Sequence, residues 1–425
     1  MSPSDNHRTR TLGLAAVLHA FTHIYQMALI PLYLPIQKFY GRDTVDDATL
    51  LVTAMLIAYF LPSYAMGIFA DRFSRKRLLA GGLAVNAVGF IGLALAPNYG
   101  IALTCAIVAG LGGSFFHPAA TALIASLYPA TAGRALGFLG VGASVGFFLG
   151  PLYAGWRAAH SSWQTPVLEL GISGLVAAAL FAWLADEHAP AKAAVSPGQP
   201  QKRGRAARAK EPMFPTRRLW LLFIAAAFIF LFRDFTASSM GTVSSLFLQK
   251  ARGLDVEATG FTISFIFIAS AVSNPLFGHF SDRSRLKWAA IMIVLAAIFV
   301  ALFPHVSKPW IIPTLLIYGF FIMASYPIVE AALMESVPDS VRGRVFGLFI
   351  TIGGLLGNLS HYIDGRWVEG FGRRAYEVAP YYSLYNWLAI LLLLSLAGLP
   401  CLRAIRNREE IVSASMHHAS RIPVP

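Results

Sequence analysis

The stretch GIFADR at residues 67–72 recurs 211 residues later as GHFSDR at residues 278–283. Two further pairs fall at nearly the same spacing: GRALGF at 133–138 with GRVFGL at 343–348, and FHP at 116–118 with SYP at 325–327. Three matches at nearly one offset are rare by chance and indicate that the chain consists of two copies of one unit. We therefore expect two structurally similar halves.

Long apolar runs separate the repeated motifs. Of the 425 residues, 56% are apolar and 13% charged, and the mean hydropathy is +0.60. A soluble protein usually has about 25% charged residues, whereas a membrane-spanning helix needs roughly 20 consecutive apolar residues. The pattern predicts an all-α integral membrane protein with twelve transmembrane helices, at residues 12–38, 49–70, 78–96, 100–128, 135–157, 166–185, 219–246, 259–280, 288–304, 310–335, 344–366 and 381–402.

One long stretch departs from the apolar pattern. Residues 187–217 are rich in Ala, Pro, Lys and Arg, so they cannot bury an apolar core and are expected to form a flexible basic linker. The linker divides the chain into an N-terminal six-helix bundle at residues 1–186 and a C-terminal six-helix bundle at residues 218–402, followed by a tail at residues 403–425. The repeat makes the two bundles pseudo-symmetric.

Lysine and arginine are unevenly divided between the two sides of the predicted membrane. The side with both termini and the linker holds 24 of them, and the other side holds nine. Positive charge collects on the cytoplasmic side, so we expect both termini in the cytoplasm and the chain in the inner (cell) membrane. The same rule accounts for the net charge of +13, and no nucleic-acid partner is expected. The only two cysteines, Cys105 and Cys401, lie in apolar runs and form no disulfide framework.

The loop after the second span combines a glycine, an acid and a basic run. The glycine allows two helices to approach closely, the acid can pair with an arginine or cap a helix, and the group suits a latch that forms in one conformation only. The latch comprises Gly67, Asp71, Arg72 and Arg75, with Asp282 and Arg283 in the second copy. The motif resembles the signature loop of the major facilitator superfamily, except that Ser74 replaces a second glycine. This resemblance covers essentially the whole chain and implies the major facilitator fold.

The fifth span carries small residues four positions apart: Gly142, Gly146 and Gly150, followed by Pro151. Such a face allows close helix packing, and a proline interrupts the backbone hydrogen bonds. The arrangement resembles the motif of antiporter branches of the superfamily. The alternative is that the glycines serve close packing alone.

Two further stretches resemble the fosmidomycin-resistance-type efflux branch: HAFTHIYQ at residues 19–26 and GLGGSFFHP at residues 110–118. The chain departs from that branch at His23, where the branch tends to have an acid, and at Ala119, Ala120 and Leu123, where it has polar or charged residues. The drug specificity of the branch is therefore not transferred to this chain.

Ionisable and polar residues inside the spans cost roughly 2.5–3.5 kcal/mol each on insertion scales and are candidates for function. By resemblance to the superfamily, spans 1, 4, 7 and 10 line the central cavity. The candidate site for substrate binding and proton coupling comprises His19, His23, Gln26, His117, Arg233, Asp234 and Glu330. His361 and Asp364 share a face of span 11 and are additional candidates for an ion path.

Each candidate in this set has a specific expectation. His23 is expected to act as a protonation switch, because the unperturbed pKa of histidine is near 6.5. For His19 the alternative to a functional role is that its side chain simply faces water. For His117 the alternative is that its ring caps the carbonyls freed by Pro118. Arg233 needs a counter-ion, and Asp234, one residue on, points about 100° away around the helix. Glu330 or an anionic substrate is the other partner considered.

The motifs of several other function classes are missing from the sequence. It contains no G-K-S/T phosphate loop, no H-E-x-x-H and no cysteine cluster, so neither ATP drive, a metal site nor a cofactor is predicted. We expect a proton-coupled antiporter, acting as a monomer in the lipid membrane, that exports a small anionic or amphiphilic organic compound. The alternatives are an uptake symporter or uniporter of an organic anion, an intramembrane enzyme using His117 and Glu330, and a sensor that transports nothing. The duplication and the latch favour transport over an enzyme or a sensor.

Overall fold

The computed structural model describes residues 3–187, 212–338 and 341–407, and within these ranges the regular structure is helical, with no β-strand. The first half has helices at Pro3–Ala28, Tyr33–Phe39, Asp46–Phe60, Ser63–Arg72, Arg75–Leu95, Tyr99–Gly113, Phe116–Leu127, Ala132–Ala159 and Gln164–Leu184. The second half has helices at Arg217–Leu246, Val256–Ile268, Ser270–Phe280, Arg285–Leu302, Ile311–Glu335, Arg342–Gly357, Ser360–Glu369, Ala379–Leu394 and Gly398–Arg406.

These helices fill all twelve predicted span positions. Eleven helical segments of the described chain are long and apolar enough to cross a membrane. They are span 1 (Asn6–Phe39), spans 3 to 6 (Arg75–Leu95, Tyr99–Leu127, Ala132–Ala159, Gln164–Leu184) and spans 7 to 12 (Arg217–Ala251, Val256–Arg283, Arg285–His305, Lys308–Glu335, Arg342–Glu369, Ala379–Arg406). Span 2 is present as two shorter helices, Asp46–Phe60 and Ser63–Arg72. The prediction of an all-α membrane fold is confirmed.

Span 2 is interrupted at Leu61 and Pro62. Proline lacks the N–H donor and its ring clashes with the carbonyl four residues earlier, so a helix kinks or ends there. The span also begins at Asp46 rather than at residue 49 as predicted, because Asp46 and Asp47 occupy its first turn, where the helix dipole favours negative charge.

Span 5 packs on span 1 through its glycines. A Cβ at Gly142 or Gly146 would clash with the backbone oxygen of Ala16 or Ala20, one turn apart on span 1, and a Cβ at Gly150 would lie 3.0 Å from the Ile24 oxygen. The stripe therefore brings two helix backbones together. Pro151 lies inside this span as predicted, and the helix Ala132–Ala159 continues through it, so the missing N–H interrupts the backbone hydrogen bonds without ending the helix.

The two halves meet at the face opposite the described chain ends, which we call the opposite face. The Ser245 hydroxyl of span 7 donates to the Ile30 carbonyl of span 1 at 2.7 Å. The Tyr362 amide of span 11 donates to the Thr53 hydroxyl of span 2 at 2.9 Å. These hydrogen bonds close the opposite face in this conformation.

Much of the predicted linker and tail lies outside the described residues. Of residues 187–217, the structure describes 187 and 212–217, and of the tail it describes 403–407. The division into two bundles joined by a basic linker stays a proposal based on the repeat.

Candidate functional site

Three imidazoles of the first half converge inside the membrane region. His19 and His23 lie one turn apart on span 1, and His117 follows the break between the two helices of span 4. Their ligand-type nitrogen atoms all lie within 4.8 Å of one another. His19 Nε2 and His23 Nε2 are 3.1 Å apart, and each of these two residues is only 7% exposed. We call these three residues the histidine cluster.

The outward-facing nitrogens of the span 1 histidines each meet an oxygen. His19 Nδ1 lies 2.8 Å from the Leu139 carbonyl oxygen of span 5. His23 Nδ1 lies 3.0 Å from Gln26 Oε1 on its own helix. The face formed by His19, His23 and Gln26 was expected from their spacing, whereas the contact with Leu139 was not.

Aromatic rings surround the histidine cluster. Phe116 stacks on His19 with ring centroids 4.6 Å apart, and Phe147 lies against His23 at 4.0 Å. The helix containing His117 begins at Phe116, so Pro118 sits in its first turn, where a helix has no carbonyl partner to lose. The His117 ring makes no hydrogen bond to a described residue, and the expected capping role is not observed.

The second half holds a buried arginine at the position that the repeat equates with His23. Arg233 is 1% exposed. Its Nε donates to Asp234 Oδ1 at 3.0 Å and its Nη2 lies 2.9 Å from the same oxygen. The guanidinium carbon lies 4.0 Å from the centroid of the Tyr326 ring on span 10. The two side chains thus converge although their helix positions differ by about 100°.

Glu330 belongs to the same cluster without forming the ion pair. It lies close enough to Arg233 and Asp234 to interact electrostatically with both, but no ion pair joins it to Arg233 within the described residues. Arg233 Nη1 donates instead to the Ser325 carbonyl at 3.4 Å. We call Arg233, Asp234, Tyr326 and Glu330 the arginine cluster.

Two glycines that the sequence analysis missed make room for Asp234. A Cβ at Gly353 would clash with the Asp234 carboxylate, and a Cβ at Gly357 would lie 3.0 Å from the Asp234 Cβ. Both glycines lie on span 11, four residues apart, so the same small-residue spacing that marked span 5 was available as a signal. The sequence marks Tyr326 only as the repeat match to His117, and not as a neighbour of Arg233.

The predicted latch residues lie at the face that carries the chain ends. Arg75 Nη1 donates to the Ala122 carbonyl of span 4 at 2.9 Å. In the second half Arg285 lies 2.9 Å from Asp282 and 2.7 Å from Glu335 of span 10. Arg283, named in the prediction, is exposed and has no ion pair within the described residues. Arg285 is the first residue of its helix, as Arg75 is of the corresponding helix in the first half, although it stands one position before the match to Arg75 at the motif offset of 211.

Three other latch residues can be placed in part. A Cβ at Gly67 would lie 4.0 Å from the Pro118 Cβ, an ordinary contact, so this conformation does not require glycine there. The backbone of Asp71 and Arg72 ends the second helix of span 2. Ser74 begins span 3 by accepting a hydrogen bond from the Arg77 amide at 3.1 Å, which explains how a serine serves in place of glycine.

A polar network crosses between the halves near the opposite face. The Tyr33 hydroxyl lies 3.1 Å from Thr242 Oγ1, which lies 2.5 Å from His361 Nδ1. Asp364, on the same face of span 11 as His361, is fully buried, and neither carboxylate oxygen has a hydrogen-bond partner among the described residues. Separately, a groove of about 630 Å³ between spans 5 and 8 is lined by residues such as Tyr153 and Phe261 and by none of the candidates.

Comparison with known families identifies the fold just described. The sequence profile of the Major Facilitator Superfamily matches residues 12–360. This chain belongs to the major facilitator superfamily. It is therefore a multi-pass membrane transporter and not an enzyme, as the duplicated spans predicted.

Two curated members of the superfamily are similar to it in sequence. The fosmidomycin resistance protein of Escherichia coli (strain K12) is 23% identical over 391 residues, which cover 90% of this chain and 92% of that protein. The quinolone resistance protein NorA of Staphylococcus aureus (strain MRSA252) is 23% identical over 345 residues, which cover 78% and 84%. The resemblance to the fosmidomycin-resistance branch is borne out at this level.

Solved structures share the same architecture. A bacterial homologue of the human lysosomal transporter Spinster, in an inward-facing and unoccupied conformation, matches with a TM-score of 0.72 and 16% identity over 96% of this chain and 97% of that one. The nucleoside transporter NupG matches with a TM-score of 0.71 and 14% identity over 92% of this chain and 99% of that one. At such identities the matches establish the major facilitator fold alone.

Proposed function

We propose that this superfamily member is a proton-coupled antiporter that exports a small organic anion. The observation that carries the proposal is the buried ion pair of Arg233 and Asp234 on span 7, packed against span 10. An arginine stays charged at any accessible pH, and burying it without a partner is strongly unfavourable. A partner anion is therefore needed at every stage of the cycle.

Substrate binding is proposed to exchange that partner. The guanidinium presents parallel N–H donors that match a carboxylate or a phosphonate. Only one oxygen of Asp234 contacts Arg233, so the pair is not bidentate and a better-matched substrate anion can displace it. The flat Tyr326 ring holds the guanidinium in place while the partner changes.

The exchange at Arg233 does not by itself give antiport. Once the substrate occupies Arg233, Asp234 loses its counter-charge beside Glu330, and two carboxylates without a cation favour uptake of one proton together with the anion. That is the binding order of a symporter, whereas an antiporter binds proton and substrate in turn. Antiport is therefore proposed from the relatives named for drug resistance, and Asp234 or Glu330 is proposed to bind the coupled proton in either case. We assign the coupling to these acids rather than to His23, because both nitrogens of His23 already have neighbours.

The direction of transport and the location are proposed from the sequence and from the relatives. The two curated relatives are named for resistance to fosmidomycin and to quinolones, which supports efflux. The excess of Lys and Arg on one side supports cytoplasmic termini and an inner-membrane location. The twelve spans of one chain support a monomer.

The test is a flux assay in liposomes with the membrane potential clamped by potassium and valinomycin. Fosmidomycin and nalidixic acid serve as anionic probes, and tetraphenylphosphonium as a cationic one. We expect the anions to accumulate when the lumen is acidic, because protons leaving the liposome drive exchange. Accumulation only with an acidic exterior would indicate symport, and movement independent of the gradient would indicate uniport. Transport of the cation alone would contradict the role given to Arg233.

A further inference from the structure

The histidine cluster has a proton arrangement that calls for a cation. The Leu139 carbonyl oxygen only accepts hydrogen bonds, so His19 Nδ1, 2.8 Å away, carries a hydrogen. Gln26 Oε1 also only accepts, so His23 Nδ1, 3.0 Å away, carries one as well. A neutral imidazole has a single N–H. The Nε2 atoms of His19 and His23 therefore present lone pairs to each other across 3.1 Å.

Two facing lone pairs at that distance repel unless a positive charge, either a proton on one ring or a metal ion, lies between them. The separation is close to that of two ligands of one metal ion, since tetrahedral Zn²⁺ with Zn–N bonds of about 2.0–2.1 Å separates its nitrogens by roughly 3.3 Å. His117 supplies a third nitrogen within 4.8 Å of the other two. Its ring makes no hydrogen bond to a described residue, so binding an ion would not require such a bond to be broken.

The surroundings also match a metal site. Metal-binding histidines usually donate their second N–H to a carbonyl or carboxylate oxygen, which orients the ring. Here the Leu139 carbonyl accepts that hydrogen bond from His19, and Gln26 Oε1 accepts it from His23. Phe116 and Phe147 cover the two rings and limit access of water. The spacing of four residues between His19 and His23 is that of the histidine pair in H-E-x-x-H helices.

We propose that His19, His23 and His117 bind a divalent first-row transition-metal ion of the Zn²⁺ type through three neutral imidazoles, leaving a fourth coordination position open. Imidazole suits Zn²⁺, Cu²⁺, Ni²⁺ and Fe²⁺, whereas Mg²⁺ and Ca²⁺ prefer oxygen ligands. The site does not depend on the proposed antiport, because no residue of the arginine cluster takes part in it. No metal site is expected from the sequence, which lacks H-E-x-x-H and a cysteine cluster. His117 lies 94 residues from His23, and only the fold brings them together.

One alternative arrangement needs no cation. If the Gln26 amide is turned over, its nitrogen donates to His23 Nδ1, and His23 Nε2–H donates to His19 Nε2. The Gln26 amide and the Tyr59 hydroxyl are neighbours close enough to interact, but neither the amide nitrogen nor the hydroxyl makes a hydrogen bond of good geometry in the orientation described. A continuous hydrogen-bonded chain without metal is thus the competing description, and the experiment must separate the two.

The experiment uses the full-length protein, purified in detergent with an affinity tag free of histidine, and titrates it with Zn²⁺ in a calorimeter. We expect one Zn²⁺ per chain, no measurable binding after His23→Ala or His117→Ala, and binding about 10- to 100-fold weaker after Gln26→Ala. His279→Gln is the matched control, because His279 is exposed and distant in sequence from the cluster. Absence of stoichiometric binding, or equal binding by the His19→Ala/His23→Ala/His117→Ala variant, would overturn the proposal.

A second measurement needs no variant and so does not depend on variant folding. Cu²⁺ bound to the wild-type chain is examined by electron paramagnetic resonance with ¹⁴N- and ¹⁵N-histidine labelling. The nitrogen splitting should change on labelling, and Co²⁺ should show the strong visible absorption of a four-coordinate ion. A spectrum that labelling leaves unchanged, or the weak absorption of six-coordinate Co²⁺, would show that the ion is not held by these imidazoles.

Discussion

The Arg233 guanidinium and the Asp234 carboxylate form an ion pair, with Nε and Oδ1 3.0 Å apart, although the two residues are consecutive in one helix. Neighbouring positions diverge by about 100° around a helix, yet the long Arg233 side chain reaches Asp234 while its guanidinium lies against the Tyr326 ring. Gly353 and Gly357 leave the space that Asp234 occupies. The pair is therefore held by three spans and behaves as one buried unit.

Arg233→Ala should be much more damaging than removal of the whole pair. The single change leaves Asp234, whose side chain is 17% exposed, without its counter-charge, and the cost should be below the roughly 3–5 kcal/mol of a fully buried pair. The Arg233→Ala/Asp234→Ala variant removes both charges and should recover part of that loss. The stabilities of the two variants are measured by thermal unfolding in detergent, monitored by tryptophan fluorescence. The interpretation fails if Arg233→Ala unfolds at the wild-type temperature or if the double variant is less stable than the single one.

Arg233→Lys should keep the charge and weaken binding of an anionic probe. Lysine offers a point charge instead of parallel donors and does not stack on Tyr326 in the same way. We expect the dissociation constant for fosmidomycin to rise about 10-fold, which corresponds to ~1.4 kcal/mol. The control is Arg366→Lys, an exposed arginine near Asp46 at the opposite face, which should leave the constant unchanged. Equal affinities of the Arg233→Lys variant and the wild type would remove Arg233 from the binding site.

Gly146→Ala should separate spans 1 and 5. The added Cβ meets the Ala20 backbone oxygen, and because a backbone atom cannot swing aside, the helices move apart at a cost of about 1–3 kcal/mol. Gly140→Ala on the same helix is the control, since a Cβ there meets nothing within 4 Å. That change should be neutral or stabilise by about 0.5–1 kcal/mol. Equal unfolding temperatures for the two variants would argue against the described packing.

Arg285→Gln should lower stability while Arg283→Gln does not. Arg285 is 13% exposed and pairs with both Asp282 and Glu335, so its loss leaves two acids without a partner. We expect a decrease of about 1 kcal/mol, near the upper end for pairs close to the surface. Arg283 lies two positions before Arg285 and forms no ion pair within the described residues. The measurement is thermal unfolding at low and high salt. A larger loss of stability for Arg283→Gln than for Arg285→Gln would contradict the ion pairs described for Arg285.

Cysteine labelling tests the proposed orientation in the membrane. The background is Cys105→Ala/Cys401→Ala, which removes both natural thiols. A cysteine at Arg373, exposed in an opposite-face loop, should react with a membrane-impermeant maleimide added to intact cells. A cysteine at His7, exposed near the start of span 1, should react only after the cells are opened. The reverse pattern would place both termini outside.

The positions of the helices, and the residues that share one face of a helix, could be predicted because they depend on the local pattern of apolar residues. The equivalence of the two halves could be predicted from the repeated motifs. Apolar runs gave the span positions, and the spacing of four residues placed His19 and His23 on one face. The motif offset of 211 matches Arg72 with Arg283, and Arg285 stands one position away from the match to Arg75, so the offset alone did not identify Arg285. The break in span 2 has a visible cause in Pro62, although Pro151 lies within a continuous helix. Proline alone therefore does not reveal which helix will bend.

The rest depended on contacts between distant segments. Nothing near His19 in the sequence indicates that its ring meets the Leu139 carbonyl, because that contact requires the glycine stripe of span 5 to bring the two backbones together. The pairing of Arg233 with Asp234 likewise needed the Tyr326 ring and the space at Gly353. A helical wheel gives the direction in which a side chain starts, whereas the neighbouring helices determine where a long side chain ends.

The contact of His19 with Leu139 also constrains how the protein is made. The two residues are 120 positions apart, and at roughly 5–20 residues per second the ribosome needs about 6–24 s to add the second after the first. Throughout that delay the His19 Nδ1–H lacks the acceptor that span 5 supplies, and hydrocarbon offers none. We therefore expect the packing of the first helix to be completed only after the fifth helix has been made.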